Sequence, residues 1–197
     1  MRIGVFGGTY NPPHLGHLVC AQEAYVQLGL DLVMLIPVCT PPHKPLDDEP
    51  GPEHRLELCR RAAAGDDRLA VSGMEISRAG PSFTVDTLVE LHANEPDNEL
   101  FLILGGDVAA GLPSWRAPEV VVALATPAVA NRRGTPRARA VAGLSELPGA
   151  AGARFFSMPW IGVSSTMIRR RVKAGQPIRY LVPDAVAAYI EAKGMYC

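Results

Sequence analysis

Residues 4–19 read GVFGGTYNPPHLGHLV: an apolar run ends in Gly7-Gly8, prolines interrupt the chain, and His14 and His17 stand three apart. RIGVF (Arg2–Phe6) has the short, β-rich composition of a buried strand. After the loop, Leu15, Leu18, Val19, Ala21, Tyr25 and Leu28 recur at helical spacing, with Gly29 as a stop. LVMLIPV (Leu32–Val38) is a second continuous apolar run and reads as another buried strand. Strand, helix and strand in this order open a β-α-β unit, which demands a parallel sheet.

The alternation continues along the chain. EHRLELCRRAAAG reads as a helix, LAVSGMEIS as short strand material, and SFTVDTLVELHANE as a helix with Ser82 as its N-cap. ELFLILGGD (Glu99–Asp107) is a buried strand ending in Gly-Gly-Asp, PEVVVALA a short helix, and TPAVAN an edge-like strand. Residues 134–152, rich in Ala, Arg, Gly and Pro, leave room for one helix between loops. ARFFSMP is the last strand, and SSTMIRRRVKAG and PDAVAAYIEAKG are closing helices, each ended by a glycine. No repeat or long linker divides the chain. The expectation is one α/β domain over residues 1–197, with a single doubly wound, mostly parallel, Rossmann-like sheet and a helical C-terminal part. In such sheets ligands bind beyond the C-terminal ends of the strands. Gly7-Gly8-Thr9, Pro41-Pro42-His43-Lys44, Gly105-Gly106-Asp107 and Ser164-Ser165-Thr166 all follow strands and would gather on that edge.

Composition narrows the function classes. The chain has 197 residues, 48 % hydrophobic and 20 % charged, enough for a sizeable core. A formal net charge of −1 gives no overall field toward nucleic acid or an anionic membrane. Its arginines crowd the last third, which fits a local anion site. The most apolar late run, VVVALATPAVA, is short and broken by Pro127, so no membrane span is expected. Cys20, Cys39, Cys59 and Cys197 form no C-x-x-C pair, and three sit in segments read as helix or strand. Free thiols, a reducing compartment and a cytoplasmic location follow as expectations.

The loop after the first strand suits anions. A helix start offers unpaired N–H groups and a partial positive charge. Gly16 costs roughly 1 kcal/mol of helix propensity against alanine, and in return leaves room for a phosphate or nucleotide to approach the backbone. His14 and His17 lie one turn apart on one face and can donate to phosphate oxygens. No protein-bound metal is expected, because no carboxylate or cysteine stands at ligand spacing from them and no H-E-x-x-H occurs. SSTMIRRR, with Ser164 as N-cap, Ser165 and Thr166 as further donors and Arg169 one turn on, reads as a second helix start aimed at phosphate.

GGTYNPPHLGH resembles the H-x-G-H signature of the nucleotidyltransferase superfamily, and VSSTMIRRR (Val163–Arg171) is similar to its second signature. PPHK, GPSFTVDTL, GGD, SW and YLVPDAVAAYI follow in the order found in bacterial nicotinate-nucleotide adenylyltransferases. The resemblance covers most of the chain and is weakest over residues 134–152. It implies adenylyl transfer from ATP to nicotinate mononucleotide, giving nicotinate adenine dinucleotide and pyrophosphate on the way to NAD, with Mg²⁺ carried by ATP. It implies catalytic roles for His14, His17, Lys44 and Arg169. For ATP it implies Gly7, Gly8, Thr9, Tyr10, His14, Gly16, His17, Gly105, Asp107, Ser164, Ser165, Thr166 and Arg169. For the mononucleotide it implies Lys44, Phe83, Thr84, Trp115 and Arg132, with Trp115 stacked on the pyridine. Asn11, where the family usually has aspartate, and Arg133, where it usually has proline, depart from the pattern, and Tyr10 replaces a common phenylalanine. The alternatives are another small-molecule nucleotidyltransferase, such as a phosphopantetheine or nicotinamide mononucleotide adenylyltransferase, and a non-catalytic nucleotide-binding module. A homo-oligomer is left open; a nucleic-acid partner is not expected.

Overall fold

A computed structural model describes residues 1–41, 48–131 and 137–197. Among them, six strands form one all-parallel sheet: β1 (Arg2–Gly8), β2 (Leu32–Pro37), β3 (Leu69–Val71), β4 (Glu99–Gly105), β5 (Ala125–Asn131) and β6 (Arg154–Ser157). The spatial order is β3-β2-β1-β4-β5-β6, the doubly wound order, and its switch point lies between β1 and β4. Register runs from Ile3 opposite Leu32 to Gly8 opposite Pro37, and from Arg2 opposite Glu99 to Val5 opposite Leu102.

Both faces of the sheet are covered, so the strands read as unbroken apolar runs. In β4, Leu100, Leu102 and Leu104 point to one face, and Phe101 and Ile103 to the other. The first face meets α4 (Thr84–Asn94), α6 (Pro118–Leu124) and α7 (Arg137–Ser145) through Val85, Leu88, Val121, Ala140 and Leu144. The second meets α1 (Leu15–Leu28) and α2 (Pro52–Ala63) through Cys20, Ala21, Ala24, Cys59 and Ala63. Helix α1 stops where expected: Gly29 takes the left-handed conformation (φ 61°) and its N–H bonds the Tyr25 carbonyl. The closing helices α8 (Ser165–Lys173) and α9 (Asp184–Ala192) bury Ile168, Val186 and Ile190 with Leu58 and Ala62 of α2.

Several sequence expectations are corrected. Of LAVSGMEIS, only Leu69–Val71 is strand; Met74–Arg78 form a short helix α3 after Ser72 and Gly73. Ser82 does not cap α4; Phe83 is the N-cap residue, and the Ser82 hydroxyl accepts from the Cys39 N–H instead. The TPAVAN strand is internal rather than edge-like, with β4 on one side and β6 on the other. Its proline is tolerated because the β6 ladder begins at Ala128, one residue past Pro127. Within residues 137–152, α7 is followed by a 3-10 turn at Pro148–Gly152. Cys20 and Cys59 are buried, Cys39 is partly so and Cys197 is exposed, and none of the four is in a disulfide. No helix among the described residues is long and apolar enough to cross a membrane.

The β4 end is braced by one close approach. Helix α5 (Gly106–Ala110), which carries Asp107, lies against α7, and a Cβ built on Gly143 would sit 2.3 Å from the Ala110 carbonyl oxygen. Backbone cannot yield as a side chain can. Gly143→Ala is expected to lower unfolding free energy by about 1–3 kcal/mol, measured by denaturant titration; an unchanged midpoint would show that the α5–α7 contact is slack.

Candidate active site

The start of α1 is built from the two histidines. His14 is the N-cap, in extended conformation, and its Nδ1 accepts from the Gly16 N–H at 3.1 Å. The His14 N–H donates to His17 Nδ1 at 3.2 Å, completing a reciprocal capping box. With both Nδ1 atoms accepting, each neutral ring carries its proton on Nε2, where it is a donor. The rings lie 3.8 Å apart between centroids, and the Tyr10 ring packs edge-on to His17 at 5.0 Å. Tyr10 is buried with its hydroxyl on the Phe6 carbonyl, so any nucleotide contact from this residue is left to its backbone. A Cβ on Gly16 would stand 3.0 Å from atoms of the His14 ring. Part of the room that Gly16 leaves is taken by the capping imidazole.

The start of α8 is docked on the same loop. Ser164 is the N-cap and its Oγ accepts from the Met167 N–H at 3.2 Å, as the sequence suggests. Ser165 Oγ donates to the Pro12 carbonyl at 2.8 Å, and Arg169 Nη1 donates to the Asn11 carbonyl at 2.9 Å. Leu15 N–H bonds Leu181 O, and the Tyr196 hydroxyl donates to Asn11 Oδ1 at 2.7 Å. Helix starts from opposite ends of the chain thus meet across the cis Asn11-Pro12 bond. Ser165 and Arg169 are braces in this arrangement, although Arg169 Nε is buried and has no hydrogen-bond partner among the described residues. Asn11 also donates from Nδ2 to the Asp48 carbonyl at 3.4 Å, a bond that an ionised aspartate could not make. The Asp48 carboxyl is held below the usual carboxylate range, chiefly by the Lys173 ammonium at 2.6 Å and also by Arg169. Burial pushes the Tyr196 phenol up, so it stays a donor.

At the β1/β4 switch point opens a cavity of about 540 Å³. Gly7, Gly8, Thr9 and Asp107 line it with Phe83, Thr84 and Trp115, uniting residues expected for two different ligands. Among the described residues no side chain caps the start of α4, where Phe83 and Thr84 line the cavity. Trp115 packs partly on the core while also lining the cavity wall. Asp107 is largely exposed in the first turn of α5, 4.0 Å from Arg139. Gly105 precedes it at the β4 end, and a Cβ there would meet no atom of the described residues within 4 Å. Lys44 and Arg132, with Arg133, lie outside the described residues.

A cytidylyltransferase-like family profile matches residues 5–171. Relatives named "Probable nicotinate-nucleotide adenylyltransferase" match nearly end to end. One from Roseiflexus sp. is 44 % identical over 98 % of this chain and 97 % of its own. One from Thermus thermophilus is 43 % identical over the full length of both. The chain belongs to the nicotinate-nucleotide adenylyltransferase family. In fold it also resembles the Plasmodium falciparum nicotinic acid mononucleotide adenylyltransferase solved with APC. That match has a TM-score of 0.79 at 15 % identity and covers 99 % of this chain and 96 % of the other.

Three buried residues around the candidate site escaped the sequence reading. Arg55 is fully buried on α2, in phase with Leu58, Cys59 and Ala62; an arginine within a helix's apolar stripe was the available signal. Tyr196 had no local signal. Neither had Glu75, which lines the cavity, is buried, and accepts from the Thr87 hydroxyl at 2.7 Å through Oε1. Among the described residues its Oε2 has no hydrogen-bond partner. Burial raises the Glu75 carboxyl, offset in part by Thr87. A carboxyl raised in the folded state favours folding below its unfolded pKa and loses that contribution as pH rises through the folded value. Glu75→Gln keeps the acceptor and cannot ionise. It should melt higher than the parent near neutral pH, with the gap closing as pH falls into the ordinary carboxylate range. A gap that is constant with pH would show that Glu75 does not titrate differently on folding.

Proposed function

We propose that the chain transfers the adenylyl group of MgATP to nicotinate mononucleotide, releasing pyrophosphate and forming nicotinate adenine dinucleotide, a step in NAD biosynthesis. The observation that carries this reading is the junction of the α1 and α8 starts, through Ser165–Pro12 and Arg169–Asn11, beside the switch-point cavity. The named relatives at 39–44 % identity over nearly full length support the same activity.

The reaction needs no protein nucleophile. A phosphate oxygen of the mononucleotide attacks the α-phosphorus in line, a new P–O bond forms, and pyrophosphate leaves with the electron pair of the broken bond. Catalysis is then orientation and charge stabilisation. His14 and His17 donate from Nε2 to the phosphates, and the α1 and α8 amides add partial positive charge. Arg169 contributes its charge from a fixed place. Gly7, Gly8, Thr9, Tyr10, Gly16, Gly105, Asp107, Ser164, Ser165 and Thr166 complete the ATP side, with Asp107 on the ribose hydroxyls. On the other side Trp115 stacks on the pyridine, and the uncapped start of α4 at Phe83 and Thr84 receives the nicotinate carboxylate. A carboxylate suits bare amide donors better than a carboxamide does, whose own N–H groups would face them. Lys44 and Arg132 are assigned to the mononucleotide on sequence resemblance. Mg²⁺ would be carried by ATP, with phosphate oxygens and water as its main ligands. We assign the activity to the reducing cytoplasm, where cysteine thiols persist.

Product identification by mass with ATP and either nicotinate or nicotinamide mononucleotide should give nicotinate adenine dinucleotide as the preferred product. His17→Ala should lower kcat by about 10²–10³-fold, with a far smaller change in KM for ATP. Unchanged kcat with a raised KM would assign His17 to ground-state binding only.

A further inference from the structure

Strands β1 and β2 stop pairing at Gly8 and Pro37, with one further bond from the Val38 N–H to the Gly8 carbonyl. Beyond that point the sheet no longer fixes how far apart the two departing loops run. One side chain replaces it. Arg55 Nη1 donates to the carbonyls of Thr9 at 3.1 Å and Val38 at 2.6 Å, and Nη2 to that of Cys39 at 2.8 Å. Its Nε donates to Glu49 Oε1 at 2.8 Å, on the stem where the loop after β2 returns to α2. Glu49 is itself held by the Gly51 N–H at 2.9 Å. Arg55 has no exposed surface.

A buried guanidinium is costly unless nearly every donor is satisfied, and an apolar side chain would stabilise a core as well or better. Its value here is the planar fork, which reaches carbonyls from separate segments in one plane; an ammonium cannot span them. The acceptors lie in both ligand walls. Thr9 belongs to the loop leading to His14, while Cys39 donates its N–H to Ser82 Oγ, and the Ser82 N–H bonds the Thr40 carbonyl next to Phe83 and Thr84. We infer that Arg55 is a positioning residue for adenylyl transfer: without touching substrate, it sets the distance between the triphosphate loop and the mononucleotide wall. This rests on the adenylyl-transfer reading above. In-line attack depends on sub-ångström placement, whereas ground-state binding is spread over both ligands, so the two should respond differently.

The test compares the full wild-type chain with Arg55→Lys and Glu49→Gln in steady-state assays with MgATP and nicotinate mononucleotide, fold being checked by circular dichroism. Arg55→Lys, folded, should lose about 100-fold in kcat, with each KM within about threefold of wild type. A folded Arg55→Lys with kcat within about twofold of wild type, only its melting temperature lowered, would overturn the inference and leave Arg55 a plain brace. If Arg55→Lys does not fold, Glu49→Gln decides, because it weakens one arm of the clasp and leaves the carbonyl bonds in place. A kcat loss of about tenfold at unchanged KM supports positioning, and full activity overturns it. Wild-type chain that forms no dinucleotide sinks the functional reading itself, which separates the two failures.

Discussion

The carbonyl oxygens of Asn11 and Pro12 accept bonds from Arg169 and Ser165, and the rest of the site depends on that contact. Neither helix start is an anion site of much strength alone, since a helix dipole falls off within its first turn. Brought together, they give one small volume the positive ends of two helices, two imidazoles whose protons are confined to Nε2, and a guanidinium. The contact spans nearly the whole sequence, so it forms only when the C-terminal helices have packed on α2 through Ile168, Val186 and Ile190. Folding and site assembly are in that sense the same event.

Charge around this junction is arranged to hold the loop rather than to shed it. Asp48 takes Lys173 and approaches Arg169, while its carbonyl takes the Asn11 amide. Tyr196, in the turn that follows α9, reaches Asn11 Oδ1 in a buried bond. The residues proposed for the chemistry therefore rest on residues that brace them, and the bracing set includes Arg55 on the opposite wall.

The strand–helix alternation was legible because buried parallel strands are continuous apolar runs and α1 has clear periodicity and a glycine stop. TPAVAN misled because Pro127 suggests an edge, and only the ladder with β6 shows that the missing N–H costs nothing there. Met74–Arg78 misled because short apolar segments carry no decisive period. The motif residues His14, His17, Ser164 and Ser165 were legible as helix starts. Their mutual bonding was not, and neither was the bracing work of Ser165 and Arg169, because nothing local encodes a partner some 150 residues away. Tyr196 and Glu75 are defined wholly by tertiary contacts.

The most direct measurement is a crystal structure of the chain with a non-hydrolysable ATP analogue and nicotinate mononucleotide. The account predicts the triphosphate between the imidazoles of His14 and His17 and the first turn of α8, with the pyridine against Trp115. A triphosphate bound away from either helix start would contradict it.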